Sequence, residues 1–86
     1  MNEILMQVVI DMMHFLTIDD ESIVDPDRAL SELERIAGML QDLPEAERDI
    51  FLAYVAKQIN EYSLDPMNRK YVDFLKIIRS DIFHMD

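Results

Sequence analysis

Residues 25–62 read DPDRALSELERIAGMLQDLPEAERDIFLAYVAKQINEY, and this stretch predicts two consecutive amphipathic helices. Asp25 suits the N-cap of the first helix, Pro26 its first helical position, and Asp27 the positive end of its dipole. Apolar residues then recur with helical spacing, at Ala29, Leu30, Leu33, Ile36, Ala37 and Leu40. We therefore expect an ordinary helix with one narrow buried face.

The dipeptide Leu43-Pro44 predicts the end of this helix, and the acids after it favour a further helix that runs to about Tyr62. The apolar side of that helix holds Ile50, Phe51, Tyr54, Val55, Ile59 and Tyr62. Gln58 falls near the middle of this side. Because a buried amide needs hydrogen-bond partners, we expect Gln58 to be a satisfied core glutamine or to lie at the rim.

On the N-terminal side, residues 2–17 predict a helix that is apolar around most of its circumference. One narrow stripe is polar and holds Glu3, Gln7, Asp11 and His14. A helix of this kind must be covered on several sides. It is expected to be either the central helix of a bundle or a homodimer interface.

On the C-terminal side, Asp65-Pro66 repeats the start signal and predicts a fourth helix to about Phe83. Its apolar stripe holds Met67, Tyr71, Phe74, Leu75, Ile78 and Ile82. The chain has a single Gly and no alternating apolar segment, and its 86 residues are too few for a second core. The expected fold is one all-α domain over residues 1–86, a compact antiparallel bundle of four helices.

Composition also bounds the location. The chain has no Cys, which fits a reducing compartment. The opening apolar run carries Glu3 where a signal peptide has bases, and it is interrupted by Asp11 and His14. Ile4–Ile18 is too short and too polar to span a bilayer. The sequence thus predicts a cytoplasmic protein without membrane contact.

Charge is distributed unevenly along the chain. All ten surplus negative charges fall in the first 49 residues, which hold thirteen acids and three Arg. Such a field repels nucleic acid and membranes and attracts basic proteins. We expect a basic protein partner and no nucleic-acid partner. The predicted contact acids are Asp19, Asp20, Glu21, Asp25 and Asp27, extended by Glu32 and Glu34.

Two carboxylate-x-x-His pairs, Asp11–His14 and Asp81–His84, are the strongest candidates for metal or catalytic chemistry. Both pairs are predicted to point away from the core, where they could not build an inward-facing site. The chain also lacks a Gly-rich phosphate loop and an evident nucleophile next to either His. We therefore expect no metal, no cofactor and no enzymatic activity, and a metal-dependent bundle enzyme is the weakest of the function classes.

A family resemblance lies in residues 24–59, about 36 of the 86. Its elements are Asp25-Pro26, Leu33-Glu34-Arg35-Ile36-Ala37, Leu40-Gln41-Asp42-Leu43 and Glu45-Ala46-Glu47-Arg48. This pattern resembles small acidic bacterial immunity proteins that are paired with contact-dependent or secreted polymorphic toxins. The chain departs from the pattern at Pro44, where Ser or Thr is usual, and the first and fourth helices carry no matching motif.

The resemblance implies a non-enzymatic protein that binds a cognate toxin domain. Combined with the charge pattern, it predicts that the acids occlude the toxin's basic active-site groove. The alternative function is a small helical adaptor or regulatory protein that acts through homodimerisation and protein–protein contacts. The identity and activity of the toxin, and the face that binds it, are not encoded in any motif.

Overall fold

In this computed structural model, which describes residues 2–17 and 25–84, four α-helices form. They are α1 (Glu3–Leu16), α2 (Pro26–Gln41), α3 (Glu45–Tyr62) and α4 (Arg69–Ile77). No strand occurs within the described ranges. The predicted all-α bundle of four helices is confirmed.

Side-chain caps explain three of the helical starts. The Oδ1 atom of Asn2 accepts a hydrogen bond of 3.0 Å from the Leu5 amide at the start of α1. The Oδ1 atom of Asp25 accepts one of 3.1 Å from the Asp27 amide. Asp65 does the same for the turn before α4, at 2.9 Å. Both Asp-Pro signals thus act as the sequence predicts.

The C-terminal helix is not continuous. It opens with a 3₁₀ turn, Pro66–Asn68, and α4 passes into a π-helical turn, Ile78–Ile82, so the helix ends one residue before the predicted Phe83. In this last turn the hydroxyl of Ser80 donates to the carbonyl oxygen of Lys76 at 3.2 Å. A side-chain hydroxyl that bonds to a carbonyl of the preceding turn competes with the regular backbone bonds, which fits the wider turn here.

One apolar core joins the four helices. Helix α1 packs against α2 and α3, α3 packs against α4, and the π-helical turn reaches back to α2. The core consists of Met6, Ile10, Met13, Leu40, Phe51, Val55, Phe74, Leu75 and Ile78. Gln58 is buried among these helices, and its amide is hydrogen-bonded at both ends, as the sequence predicts for a satisfied core glutamine.

Four residues that the sequence assigned to the apolar faces of the second, third and fourth helices are exposed: Leu30, Ile50, Tyr62 and Met67. Met67 is 90% exposed because it belongs to the 3₁₀ turn, whose side chains repeat every three residues and leave the stripe of α4. Val72 is buried instead. Leu30 is 57% exposed because α2 stands apart from α4, and this separation creates the groove described below.

Helix α1 is not the central helix of the bundle, which was one of its two expected roles; the other, a homodimer interface, stays a prediction. Its outward face exposes five large apolar side chains by 41–74%: Ile4, Leu5, Val8, Met12 and Phe15. The stripe that the sequence marks as polar partly faces the bundle, since Gln7 bonds to Tyr54 of α3 and Tyr71 of α4. None of the described helices has the length and hydropathy that crossing a membrane requires.

Candidate functional site: an apolar groove with an acidic rim

A groove of about 540 Å³ separates α2 from α4. Its floor is apolar and consists of Met13, Leu33, Ala37, Phe74, Ile78 and Ile82. Leu30 on α2 and Ile77 on α4 line its opening, where they are 57% and 52% exposed. At one end, the side-chain amide of Gln41 donates to the carbonyl oxygen of Ile82 at 3.0 Å, which ties α2 to the π-helical turn.

The charged groups that line the groove are mostly acidic. They comprise three carboxylates, Glu34, Asp73 and Asp81, and one ammonium group, Lys70. All four side chains are exposed. Asp73 lies 4.0 Å from the guanidinium of Arg69, but both partners are largely solvated, so this ion pair leaves the carboxylate accessible. The groove therefore combines an apolar interior with a negatively charged edge.

Four of the seven predicted contact acids lie in the described residues, and one of them lines the groove. Of the seven, Asp19, Asp20 and Glu21 lie outside the described residues. Glu34 lines the groove, whereas Asp25 and Asp27 lie exposed at the N-terminus of α2, and Glu32 is half-buried. Asp25 also has a structural task, since its side chain caps α2. The prediction that these acids bind a partner stays a prediction.

Two rim acids and both apolar residues at the opening were not among the predicted site residues. Asp73, Ile77 and Asp81 follow one another at intervals of four, so they share one face of the fourth helix. That spacing was readable in the sequence. Nothing in it showed that this face would lie opposite Leu30 and Glu34, because the gap between α2 and α4 is a tertiary feature.

A ring of partly buried hydrogen bonds joins four polar side chains of α1, α3 and α4. The hydroxyl of Tyr54 donates to Gln7 Oε1 at 2.5 Å, and Gln7 Nε2 donates to the Tyr71 hydroxyl at 3.2 Å. The Tyr71 hydroxyl donates to Gln58 Oε1 at 3.5 Å, and Gln58 Nε2 returns to the Tyr54 hydroxyl at 3.2 Å. Gln7 Nε2 also donates to Asp11 at 2.8 Å.

This ring is saturated. Among the described residues, no buried side-chain nitrogen or oxygen lacks a partner, so the ring offers no orphaned group to a ligand. Burial raises the pKa of Tyr54 above 10.0, and the charge of Glu3 adds to this. Burial likewise raises the pKa of Tyr71, although the hydrogen bond from Gln7 offsets part of the effect. Both hydroxyls are thus held protonated, which suits a structural ring.

The two carboxylate-x-x-His pairs differ in the structure. His84 is exposed, as expected, but His14 does not point away from the core. Its ring lies 5.4 Å from that of Tyr71 and 5.0 Å from that of Phe74, so the outward placement predicted for His14 is wrong. In the part of the chain that the structure describes, no three His, Asp or Glu side chains converge in a way that could hold a metal ion.

Comparisons of the chain with protein-family models, with curated proteins and with solved structures found no match.

Proposed function

We propose that this protein binds a basic protein partner by accepting an apolar segment of it in the groove between α2 and α4. The partner that fits the resemblance noted above is a bacterial toxin domain, which the bound protein would neutralise in the cytoplasm. The observation that carries the proposal is the composition of the groove: an apolar floor edged by three carboxylates and one ammonium group.

The apolar part of the groove would supply affinity. Leu30 and Ile77 are exposed to water in the free protein. A partner side chain that enters between them would remove both from water. Transfer of apolar surface from water contributes about 25 cal/mol per Å². An amphipathic helix that lays its apolar face into a groove is a common mode of peptide recognition. The groove runs between two helices and suits that mode.

The acidic edge would select partners by the sign of their charge. Glu34, Asp73 and Asp81 would lie beside the polar flanks of any segment seated on the floor. Lys and Arg on those flanks would be attracted, and acids repelled. The net charge of −10 acts in the same direction at longer range and would speed the encounter with a basic protein. If the toxin acts on an anionic substrate, the acids of this protein would occupy the toxin's own basic active-site groove and so block its activity.

The test is co-expression with the toxin encoded by the neighbouring reading frame, scored as protection of the host cell. Ile77→Lys places a cation at the opening of the groove, where it repels a basic partner, and protection should be lost. Leu64→Lys is the matched control, because Leu64 is 87% exposed and does not line the groove. Equal and complete protection by both variants would rule out the groove.

A synthetic probe separates groove chemistry from toxin identity. An amphipathic Leu-Lys helix of about 18 residues, five turns, should bind the wild-type protein more weakly as salt rises. Its Leu-Glu counterpart should not bind. If the Leu-Lys helix binds but the neighbouring reading frame encodes no toxin, the groove is still a binding site and the proposed immunity function is wrong. Replacing Asp19, Asp20 and Glu21 with their amides should slow the encounter, since those charges contribute to the predicted attraction.

A further inference from the structure

The outward face of α1 holds five of the twelve large apolar side chains that are exposed among the described residues. With one neighbour on α2, it consists of Ile4, Leu5, Val8, Met12, Phe15 and Met39, and we call it the α1 face. These side chains are 41–74% exposed and together present on the order of 700 Å². A typical monomer keeps its largest apolar patch to about 300–600 Å².

The α1 face carries no charge, although α1 contains two acids. Glu3 lies 3.8 Å from the ammonium of Lys57 on α3, and Asp11 accepts the bond from Gln7, which itself bonds to α3 and α4. Both carboxylates are therefore drawn to the side of the helix that faces the bundle. What remains outward is an uninterrupted apolar stripe.

The spacing of the stripe fits another helix of the same kind. Leu5, Val8, Met12 and Phe15 follow at intervals of three, four and three, which is the a/d spacing of a coiled-coil seam. A depression of about 250 Å³ lies beside the stripe, and only apolar residues of α1 and α2 line it. When two copies meet about a two-fold axis, the protruding side chains of each stripe can enter the apolar depression of the other copy, so the surface is self-complementary.

We propose that the α1 face binds a second copy of this chain, so that the protein forms a symmetric dimer through paired α1 helices. The area agrees with this partner, since a standard interface takes about 800 Å² from each side. The charge agrees as well. Two copies with a net charge of −10 each repel one another, and the α1 face lets them meet without bringing carboxylates into the contact. It leaves the groove between α2 and α4 to a different partner.

Electrostatics gives this interface a salt dependence opposite to that of the groove. Raising salt from about 0.05 M to about 0.5 M screens the repulsion between the two copies and should tighten the dimer. The same change should weaken capture of a basic partner, because there it screens an attraction. The two proposals can therefore fail independently of one another.

The experiment measures mass by light scattering or sedimentation over a concentration series up to about 1 mM. Wild type should pass from 10.1 kDa to twice that mass as concentration rises, and at lower concentration when salt is high. Met12→Glu should weaken dimerisation at least tenfold, because it places a carboxylate in the middle of the face. Met67→Glu is the matched control: the same substitution at a side chain that is 90% exposed and outside the face.

Because the chain has no Cys, a cross-link gives a second readout. Val8→Cys should form a disulfide-linked dimer under mild oxidation, whereas Met67→Cys should form far less. A wild-type mass that stays at 10.1 kDa throughout the series would overturn the proposal. So would a dimer that survives Met12→Glu but is lost in Ile77→Lys, since that result assigns the contact to the groove.

Discussion

Tyr54 on α3 donates its hydroxyl hydrogen to the side-chain carbonyl of Gln7 on α1, at 2.5 Å. This bond belongs to a closed ring of hydrogen bonds among four side chains. The ring also includes Gln58 and Tyr71 and thereby connects α1, α3 and α4. Each of the four side chains donates one hydrogen bond and accepts another within the ring. Apolar packing tolerates small sliding of helices, but a closed ring of directional bonds is satisfied in one relative position only.

The ring should show strong coupling in a double-mutant cycle. Gln7→Leu or Tyr54→Phe alone leaves a ring partner unsatisfied and should cost about 1–3 kcal/mol of unfolding free energy. The double variant should cost less than the sum, by about 0.5–3 kcal/mol. Urea unfolding measures all three. The control pairs Gln7→Leu with Gln41→Leu, which removes a hydrogen bond to the Ile82 carbonyl outside the ring, and additive costs are expected there. Additivity in both pairs would show that the ring does not act as a unit.

Stability should fall at alkaline pH because of the same two tyrosines. Burial raises the pKa values of Tyr54 and Tyr71 above 10.0 in the folded state. Above that pH the unfolded chain loses these protons before the folded chain does, so the unfolded state binds fewer protons and the free energy of unfolding declines. Below about pH 9 the two groups should contribute no pH dependence.

The measurement is urea unfolding from about pH 8 to about pH 11, together with absorbance titration of tyrosinate. In the wild type, the unfolding midpoint should drop over the upper part of this range. The variant that combines Tyr54→Phe and Tyr71→Phe should be less stable overall but should lose most of that drop. A decline of equal size in both proteins would assign it to other groups.

His14 should contribute to stability, whereas His84 should not. His14→Asn removes the ring contacts with Tyr71 and Phe74 and should cost about 1–2 kcal/mol. His84→Asn is the matched control, because His84 is exposed and has a backbone φ of 56°, a conformation that Asn adopts readily. Thermal melting compares the two variants. Equal melting temperatures would show that the ring contacts of His14 do not contribute to stability.

The starts and ends of the helices could be predicted because their causes are local. Asp25-Pro26 and Asp65-Pro66 cap the turns that follow them, whatever the rest of the chain does. The buried face of α3 was predicted for the same reason, since Phe51 and Val55 follow a helical period. Local rules also allowed Gln58 to be recognised as a residue that needs partners.

The sides on which the helices meet could not be predicted in the same way. Helix α1 has apolar residues around most of its circumference, so its period does not say which of them are buried. The polar residues Gln7 and His14 face the bundle because tyrosines on α3 and α4 supply partners there. Likewise, Leu30 was predicted in the core because its spacing is right, but α4 stands too far away to cover it.

Gly38 offers a simple gain in stability. It lies in the interior of α2, is exposed, and a Cβ added to it would meet no atom within 4 Å apart from its chain neighbours and the backbone of its own helix. Gly38→Ala should therefore stabilise the domain by about 0.5–1 kcal/mol, because Gly in a helix interior costs that much relative to Ala. Chemical denaturation measures the change. A loss of stability would mean that this face of α2 is closely covered in solution.

Asp25 allows its capping role to be separated from its predicted role in binding. Asp25→Ala removes the side-chain acceptor for the Asp27 amide and should destabilise α2 by about 1 kcal/mol. Asp25→Asn keeps an acceptor and removes the charge, so its stability should stay within a few tenths of a kcal/mol of wild type.

If Asp25 also attracts a basic partner, Asp25→Asn should slow association with the Leu-Lys helix at low salt. Asp27→Asn is the control for charge: it should slow association equally, while the Asp25 cap on the Asp27 amide is kept and only the dipole interaction, about 0.3–1 kcal/mol, is lost. Unfolding of Asp25→Asn at the same temperature as Asp25→Ala would show that the charge at this position, and not the hydrogen bond, stabilises the helix.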